Sequence, residues 1–452
     1  MANYRWVGFV AMVGGMGCGG GGGGGGEISL PPPAPESGPP MVVFESWATN
    51  LVGNDTNGLG DIFLHDPGPG GTSRVSTGMQ GQEANDSSRE VSISRDRRYV
   101  AFTSDASNLV AVDGIGVTDV FRFDRRTGQT TRVSATRDGS SPNGPSYSPS
   151  ISGDGMRVAF TSLASNLVEG DRNETNDVFL YDFAASAVSR VSVSTHGAEG
   201  DGSSMWPSLS ANGRHVAFQS RATTLVTGDT NAAIDVFVRD LETGVTERAS
   251  VATDGTEGNG MSLRGSISAD GRYVVFPSVA TNLAQGKVTP LTDIFLRDRE
   301  SRRTYPISIN SMGQYGGGSS DSPSISDDGR FVAYHSYADN LVLGDSNHRA
   351  DIFLLDRQSG NTERIAVGSD GVETNEDSFA PRLSGNGRWI AFASRASNLV
   401  SGDSNHWQDV FLHDREAART IRASVRSDGT QGDGISGGTS ESLGGFAIAI
   451  SD

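Results

Sequence analysis

Acidic and amide side chains recur in a loop motif, Gly-Asp-x-Asn-x-x-x-Asp, whose chemistry suits a hard cation. Asp and Asn oxygens at alternate positions, followed by a further carboxylate, are ligands that calcium takes in proteins. The motif therefore predicts calcium sites at five places in the chain. The predicted ligands are Asp55, Asn57, Asp61, Asp171, Asn173, Asp177, Asp229, Asn231, Asp235, Asp345, Asn347, Asp351, Asp403, Asn405 and Asp409.

Two further copies of the motif depart from this pattern. Ile115 follows Asp113 where the other copies have asparagine, and Lys287 stands where the first carboxylate belongs. A lysine repels a cation, so these copies are not expected to bind one. An alternative for all copies is that Asp and Asn cap tight turns through their own backbone, with the last Asp tying the loop by hydrogen bonds.

The loops recur because the chain is built from a repeat of 58 residues. The tripeptide Asp-(Val/Ile)-Phe begins at Asp61, returns at Asp119 and keeps the same step as far as Asp409. Seven copies of one unit fill the chain from about Met41 to its end. A period of this length, with several short apolar runs in each copy, predicts a propeller or a solenoid.

Each copy has the pattern of four short strands. In the copy that holds Asp235, the predicted strands are 207–210, 215–220, 235–240 and 247–251. Asx-Gly pairs such as Asp154-Gly155 separate the first two strands, and they tolerate the positive φ of a tight hairpin. No stretch carries a helical period, which argues against an α-solenoid. The predicted fold is all-β, a seven-bladed β-propeller of four-stranded blades.

The ends of the chain predict how the ring closes. The repeats begin at a second strand, 42–46, and no first strand precedes it. The apolar run 446–451 is expected to supply that missing inner strand to the N-terminal blade, so that no sheet edge stays open. In strict register this run would be a second strand, and closure therefore needs an insertion of about nine residues before it.

The connections between strands alternate between tight turns and loops of about a dozen residues. Alternate connections lie at opposite ends of an up-and-down sheet, so both long loops of every blade share one face, here called the long-loop face. We predict that this face binds a partner. Its candidate binding residues are Tyr147, Trp206, Tyr315, Phe379 and Trp407. The alternative for these aromatic residues is packing between neighbouring blades.

The sequence predicts a non-catalytic protein. Its seven histidines show neither zinc nor triad spacing, and the one Gly-x-Ser-x-Gly string, around Ser436, lacks the flanking strand and helix of a nucleophile elbow. The alternative is a propeller enzyme, a lyase or hydrolase with a metal in the central channel. It requires carboxylates and histidines from different blades to converge there. A third interpretation, a purely structural scaffold, is favoured by the near identity of the blades.

Charge and composition exclude some partners. The net charge of −18 argues against nucleic acid, because binding to phosphates needs clustered cations. An acidic surplus suits cations or a basic partner, and we expect a protein or glycan partner. Cys18 is the only cysteine, so no disulfide forms within the chain.

The N-terminal segment has the pattern of a secretory signal over residues 1–17, with one cation, Arg5, before a short apolar run. Gly17 directly before Cys18 resembles a bacterial lipoprotein signal, although Gly15 departs from the leucine usual in that family. The resemblance implies that Cys18 is acylated and anchors the chain in the cell envelope, in the outer membrane or periplasm. A weak membrane anchor or a misassigned start are the alternatives. Residues 18–40 form a Gly/Pro-rich linker, and 41–452 form the propeller.

Three motifs in each copy carry a family resemblance: Ser-x-Ser-x-Asp-Gly-Arg-x-Val-Ala-Phe-x-Ser, Asp-Val-Phe-x-x-Asp and Thr-x-Arg-Val-Ser. They resemble the TolB-type, WD-repeat-like β-propeller repeats of bacterial envelope proteins, over residues 41–452. The resemblance implies protein or ligand binding by the propeller face. TolB carries a separate N-terminal α/β domain where this chain has a linker, so membership of the TolB complex is not implied. We therefore expect an envelope-anchored, non-catalytic binding or scaffolding module.

Overall fold

The computed structural model describes residues 38–111, 116–368, 371–438 and 447–452. The predicted signal sequence 1–17, Cys18, the linker as far as residue 37, and the loop residues Asp113 and Ile115 lie outside the described residues. The described residues form strands, turns and loops and no helix. They accordingly contain no long apolar helix of the kind that crosses a membrane.

Seven four-stranded antiparallel sheets form the blades, which confirms the predicted fold. Each sheet runs from a first strand at the central channel to a fourth strand at the rim. The strands, in that order, are Ile448–Ile450, Val42–Ser46, Asp61–Asp66 and Gly71–Arg74 in blade 1; Ser88–Ile93, Tyr99–Ser104, Asp119–Asp124 and Gln129–Arg132 in blade 2; Ser146–Ile151, Arg157–Ser162, Asp177–Asp182 and Ala187–Arg190 in blade 3; Ser204–Leu209, His215–Ser220, Asp235–Asp240 and Thr246–Arg248 in blade 4; Ser266–Ile267, Tyr273–Ser278, Asp293–Asp298 and Arg303–Pro306 in blade 5; Ser320–Ile325, Phe331–Ser336, Asp351–Asp356 and Asn361–Arg364 in blade 6; Ser378–Leu383, Trp389–Ser394, Asp409–Asp414 and Arg419–Arg422 in blade 7.

The C-terminal strand closes the ring as predicted. Ile448–Ile450 pairs antiparallel with Val42–Ser46, and Ile448 lies opposite Phe44. The N-terminal blade thereby gains its first strand from the other end of the chain. This closure leaves no inner edge open on blade 1.

Aromatic pairs hold the middle of every blade. The second strand contributes Phe44 and the third contributes Phe63 in blade 1, with ring centroids 6.1 Å apart, and the other blades repeat this stacked pair. The rings are fully buried. Each apolar cluster also includes residues of the neighbouring blade, as when Ile62 and Leu64 join Phe102. The core therefore lies between blades, and each blade depends on its neighbours for burial.

The first strand of most blades carries a bulge beside the channel. The pairing register shifts between Met205 and Ser208, and Trp206 between them has a φ of 53°. Strand one of blade 4 consequently begins at Ser204, three residues before the predicted start. Non-glycine residues with positive φ occupy the same place in four other blades: Glu90, Ser148, Ser322 and Ala380. Bulges of this kind re-aim side chains, here toward the channel.

The first hairpin of blade 2 lacks the glycine found in the other complete turns. Arg97 takes that place with a φ of 60°, as expected for a less favourable turn. Its guanidinium Nε donates to the main-chain carbonyl of Asp452 at 2.8 Å. The unusual turn residue thus binds the end of the closing strand.

Candidate functional site

The long loops of neighbouring connections contact each other on one face, as predicted. In blade 1, the backbone N–H and the hydroxyl of Thr49 donate to Asp433 at 2.7 and 2.9 Å, respectively. Thr49 lies after the second strand, and Asp433 lies in the loop that enters the blade. Blade 4 repeats the contact with Thr223 and Asp201. Both kinds of long loop therefore form one continuous surface.

The last aspartate of each Asp/Asn loop ties that loop to the blade. Asp61 is fully buried, and the Ser76 hydroxyl donates to its Oδ1 at 2.5 Å. The Asn57 side-chain amide donates to the carbonyl of Ala84 at 2.9 Å, and its Oδ1 accepts from Leu59 N at 2.8 Å. The asparagine oxygen therefore serves the turn in this structure, in the way the turn-capping alternative describes.

A cation from the chain itself lies among the acids of the loop. The Arg74 guanidinium Nη1 is 2.7 Å from Glu83, 3.2 Å from Asp61 and 3.8 Å from Asp55. Five other blades place an arginine in the same position: Arg132, Arg190, Arg248, Arg364 and Arg422. Sequence reasoning missed Arg74 and Glu83, although the arginine of the Thr-x-Arg-Val-Ser motif recurs at the same step as the aspartates.

Two of these clusters have the geometry to hold a metal ion. They are Asp55, Asp61 and Glu83 in blade 1, and Asp171, Asp177 and Glu199 in blade 3. The side chain of Asp55 is 1% exposed, and neither of its carboxylate oxygens has a hydrogen-bond partner. Burial, with the nearby Asp61 charge, raises the pKa of Asp55 to about 6. Three carboxylates around one guanidinium leave an excess of negative charge in the cluster.

Blade 5 balances the charge of its buried aspartate with a lysine instead of an arginine. Lys287 replaces the first aspartate, and its ammonium donates to Asp293 at 2.7 Å and to the Ser278 carbonyl at 3.1 Å. Pro306 occupies the place of Arg74, and Tyr315 occupies that of Glu83. The Tyr315 ring lies 6.4 Å from Phe295. This residue therefore packs within blade 5 and does not join the other predicted binding aromatics.

The repeat loses its regularity where the blades meet the channel. The bulge position, the position before it and one position of the second strand differ from blade to blade, whereas the residues on either side of that second-strand position are nearly constant. The bulge residues are Glu90, Ser148, Trp206, Arg264, Ser322 and Ala380. The second-strand residues are Glu45, Thr103, Thr161, Gln219, Pro277, His335 and Ala393. The fold does not require one residue type at these positions, which leaves them available to form a site.

Acidic groups from blades 1 and 2 meet at this level. The carboxylate of Glu90 accepts from the Thr103 hydroxyl at 3.0 Å and from the backbone N–H of Ser148, in the next blade, at 2.6 Å. Burial, reinforced by the charge of Glu90, raises the pKa of the Glu45 carboxyl to about 7. Glu45 thus titrates near neutral pH in a partly enclosed place.

Basic groups from blades 5, 6 and 7 meet across from them. Arg264 donates to the Ser322 hydroxyl at 3.2 Å, and burial lowers its pKa although the charges of Asp321 and Glu90 act in the opposite direction. Burial, with Arg264 nearby, sets the pKa of Arg382 well below its ordinary value. His335 is also buried enough to lower its pKa, and its ring contacts Phe379 edge-on at 5.8 Å. Charged groups from several blades therefore do converge on the channel.

The channel below these residues contains a cavity of about 160 Å³. Serine hydroxyls line it and join the blades, as when Ile151 N donates to Ser92 Oγ at 3.2 Å and Leu209 N donates to Ser150 Oγ at 2.9 Å. Arg382 lines the same cavity and occupies the serine position in blade 7. One guanidinium therefore stands where five other blades place a serine hydroxyl and blade 1 places Ala449.

Ion pairs cross the channel at its tight-turn end. Arg95 of blade 2 pairs with Asp327 of blade 6, and its Nη1 lies 2.9 Å from the carboxylate of Asp452. The Gly385 backbone N–H of blade 7 also donates to Asp452. These contacts lie across the tight-turn end of the channel.

The predicted binding aromatics divide into three groups. Tyr147, Trp206 and Phe379 lie on first strands at their long-loop ends, around the channel. Trp407 is 46% exposed in a loop, and Tyr315 packs in blade 5 as described above. Three further residues at the end of the second strands, Trp47, Leu163 and Tyr337, are 42, 44 and 48% exposed. Sequence reasoning missed these last three, although they share one repeat position where other blades have Asp, Arg or Val.

Comparisons with known proteins support the fold. No protein-family model and no curated protein matches the chain. Among solved structures, the β-propeller domain of the trilobed protease from Pyrococcus furiosus is 10% identical over 85% of this chain and 94% of its own, with a TM-score of 0.51. A prolyl endopeptidase is 10% identical over 85% of this chain and 49% of its own, with a TM-score of 0.52.

TolB from Acinetobacter baumannii also matches, with 15% identity over 72% of this chain and 62% of its own, and a TM-score of 0.41. The chain thus spans less than two thirds of that TolB and about half of the prolyl endopeptidase. At these identities the likeness concerns the fold alone. The seven four-stranded blades themselves establish a seven-bladed β-propeller, as the repeat predicts.

Proposed function

We propose that this chain is a non-catalytic binding module of the bacterial cell envelope, and that a protein or glycan partner docks on the long-loop face over the channel. One observation carries this proposal. Charged and aromatic residues from different blades gather around the channel, at positions where the repeat differs from blade to blade. A specific ligand has no sevenfold symmetry, so its site must break the symmetry of the repeat. The exposed rings of Trp47 and Tyr337 add contact surface of the kind that anchors interfaces.

The test is binding to an isolated bacterial envelope fraction, before and after that fraction is treated with protease. We expect Trp47→Ala and Tyr337→Ala to weaken binding about 10-fold or more, as removal of an aromatic anchor does. Thr243→Ala, in a turn of the opposite face, is the matched control and should bind as the wild type does. Protease-sensitive binding identifies a protein partner, and protease-resistant binding a glycan. Equal binding by all four proteins would disprove the assignment to this face.

The anchoring part of the proposal rests on Gly17 and Cys18. Acylation of Cys18 would hold the propeller at a membrane through the linker 18–40. Cys18→Ala should release the protein from the membrane fraction and abolish incorporation of a labelled fatty acid. If the variant stays membrane-bound and the wild type takes up no label, the lipoprotein assignment is wrong.

Calcium is the cation that we propose for the loops of blades 1 and 3. Support comes from the oxygen-only clusters, from their excess of carboxylates over arginine, and from the two unpartnered oxygens of Asp55. Calorimetric titration of chelator-treated protein should show calcium binding that Asp55→Asn weakens about 10-fold, since one charged ligand is lost. Asp86→Asn, an exposed acid of the same face, is the control. Absence of calcium heat in the wild type up to millimolar concentration would exclude this proposal.

A second candidate function is catalysis by proton transfer in the channel, which Glu45 favours. A carboxyl group with a pKa of about 7 is suited to donate and accept protons at neutral pH. The test is incubation of the protein with a panel of envelope glycans, followed by detection of new reducing ends. This function predicts turnover that Glu45→Gln lowers by about 100-fold or more. If the wild-type protein shows no turnover, the catalytic function is excluded and the binding function remains.

A further inference from the structure

Three apolar side chains are exposed to water where blades 5 and 6 meet on the long-loop face. Val288 and Met312, in the two long loops of blade 5, are 87 and 76% exposed, and Leu343, in the adjoining loop of blade 6, is fully exposed. The other copies have Thr, Ser, Arg or Gly at the first position, Asp, Gln or His at the second, and Glu, Gln, Thr, Ser, Gly or Ala at the third. These three residues are termed the apolar patch.

Hydrogen bonds join the three loops that hold the patch. The Tyr315 hydroxyl donates to the Gln285 carbonyl at 3.4 Å, and the Asn340 side-chain amide donates to the Tyr315 carbonyl at 3.2 Å. The Asn310 side-chain amide donates to the Asn340 carbonyl at 3.3 Å. Each residue of the apolar patch lies two or three positions along the chain from one of these bonded residues. The patch therefore belongs to one connected part of the surface.

The fold does not need apolar residues at these positions. Other side chains of the same loops supply the blade cores, such as Ala280 and Leu283 in blade 5 and Ala338 and Leu341 in blade 6, and all four are buried. The residues of the patch lie outside these cores, and the other copies fold with polar residues in their place. Exposed apolar residues that gather in one part of a surface mark an interaction site.

The long loops of blade 5 also lack free charge. Residues 279–292 and 307–319 contain one charged side chain, Lys287, and its ammonium is buried 2.7 Å from the carboxylate of Asp293. The neighbouring blades each place three carboxylates around one arginine: Asp229, Asp235 and Glu257 around Arg248, and Asp345, Asp351 and Glu373 around Arg364. The apolar patch thus lies between two sectors with an excess of negative charge.

This arrangement selects among partners. A glycan presents mainly hydroxyl groups, which lose hydrogen bonds to water against aliphatic side chains and gain none in return. An anionic lipid surface is repelled by the acidic sectors on both sides. A protein with an apolar contact surface and a basic rim gains from the apolar centre and from the acidic flanks together.

We propose that the apolar patch is the contact surface for a protein partner that presents apolar side chains flanked by lysine or arginine. This inference rests on the proposed binding function of the long-loop face. It narrows the partner from a protein or glycan to a protein of stated chemistry. It also places the contact at blades 5 and 6, where Tyr337, in the same loop as Leu343, adds an exposed ring.

The experiment measures the binding of labelled synthetic peptides by fluorescence anisotropy at one ionic strength. The probe alternates leucine with lysine, and two comparison peptides have serine in place of leucine or glutamate in place of lysine. We expect the leucine–lysine peptide to bind the wild-type protein more tightly than either comparison peptide. The triple variant Val288→Thr, Met312→Gln, Leu343→Gln installs residues of other copies and keeps the net charge. It should lower the affinity for the probe about 10-fold or more, the effect of removing interface anchors.

Met79→Thr is the matched control. Met79 is 59% exposed in a long loop of blade 1, and two other copies have threonine at its position. This variant should bind the probe as the wild type does. The triple variant should melt at the wild-type temperature, and a large fall would assign the patch a structural role instead. Equal binding of the probe by the triple variant, or equal binding of the leucine–lysine and serine–lysine peptides by the wild type, would overturn the proposal.

Two measurements test other occupants of the patch. If the wild-type protein sediments as a dimer and the triple variant as a monomer, the occupant is a second copy of this chain. If the Cys18→Ala protein binds phosphatidylcholine vesicles and the added triple change abolishes that binding, the occupant is a lipid surface. Either result overturns the proposed partner, whereas a monomer that does not bind these vesicles supports it.

The envelope-binding test separates this inference from the proposed function. If the triple variant binds the envelope fraction fully while Trp47→Ala and Tyr337→Ala do not, the long-loop face is a docking surface and the assignment of the patch is wrong. Binding that resists protease treatment of the envelope fraction would also overturn the protein partner. If none of these variants changes envelope binding, the assignment of the face itself fails.

Discussion

The aspartates of the tight turns and the buried aspartates of the Asp/Asn loops have pKa values shifted in opposite directions. On the tight-turn face, the Arg98 guanidinium pairs with Asp124 at 2.7 Å and holds the pKa of that carboxyl down at about 2. The same pairing recurs in five more blades: Arg157–Asp182, Arg214–Asp240, Arg272–Asp298, Arg330–Asp356 and Arg388–Asp414. In the long loops, burial raises the pKa of Asp55 and Asp177 to about 6.

The difference separates two tasks. The aspartate of each of these tight turns is paired with an arginine of its own blade. This pairing occurs in six blades and leaves these carboxylates with no excess charge for a ligand. The clusters of the long loops contain more carboxylates than arginines, and the channel combines acidic and basic groups from different blades. Stability is therefore built by repetition, whereas the capacity to bind is built by excess charge and by departures from the repeat.

The largest expected effect comes from breaking the ring, on which both faces depend. Removal of residues 447–452 deletes the strand Ile448–Ile450 and the Asp452 carboxylate that Arg95 binds. Blade 1 then loses its first strand, and blades that share cores with it are exposed. We expect the sharp unfolding transition seen by circular dichroism to become broad or to disappear. A truncated protein that melts as sharply as the full chain would contradict the closure mechanism.

The next prediction compares a buried ion pair with an exposed ion pair. Asp235 accepts from Asn231 at 2.8 Å and from Arg248 at 3.3 Å, and it is fully buried. Asp235→Ala leaves these partners unsatisfied and should lower the free energy of unfolding by about 3–5 kcal/mol. Arg330→Ala breaks a solvent-exposed pair of the tight-turn face and should lower the free energy of unfolding far less, because water screens such a pair. Urea unfolding measures both, and equal losses would refute the distinction between the faces.

Blade 5 offers a test of the charge balance inside one loop. Lys287→Asp restores the acid of the other blades but places it beside Asp293 with no arginine, so it should destabilise strongly. Adding Pro306→Arg supplies the missing cation. We expect the pair to recover about 2 kcal/mol relative to the sum of the single changes, the coupling typical of contacting charges. Additive effects in urea unfolding would show that the arginine does not balance the loop acids.

The repeat made the fold predictable, because the same strand and turn signals appear seven times and reinforce each other. The closing strand was also predictable, since an unpaired second strand at 42–46 demands a partner. The bulges were not predicted. Their signal is the proline inside the first strands, at Pro149, Pro207, Pro323 and Pro381, because proline is tolerated in a sheet chiefly at edges and bulges.

The site was less predictable than the fold for a physical reason. Local spacing revealed the loop acids, but Arg74 reaches Asp61 and Glu83 from another strand, and only the sheet brings them together. Arg264 and Glu90 occupy the same repeat position in blades on opposite sides of the channel, and only the closed ring brings their charges into interaction. The roles of Asp55 and its equivalents as calcium ligands stay a prediction.

The smallest expected effect is a pH dependence with opposite signs for the two faces. Asp55 and Asp345 have pKa values of about 6 in the folded protein against 3.8 ordinarily, so the folded state binds more protons than the unfolded state between about pH 4 and pH 6. Stability from these groups falls as pH rises through that window. Asp124, with a pKa of about 2, contributes stability above pH 4 that is lost as pH falls toward 2.

In calcium-free buffer, the melting temperature should therefore peak near pH 4–5, and Asp55→Asn should reduce the decline toward pH 7 by about 1 °C. Calcium should reverse the decline, because it binds the ionised acids. If the melting temperature instead rises steadily to pH 7 without calcium, the loop carboxylates are balanced by their arginines, and the contrast between the faces does not hold.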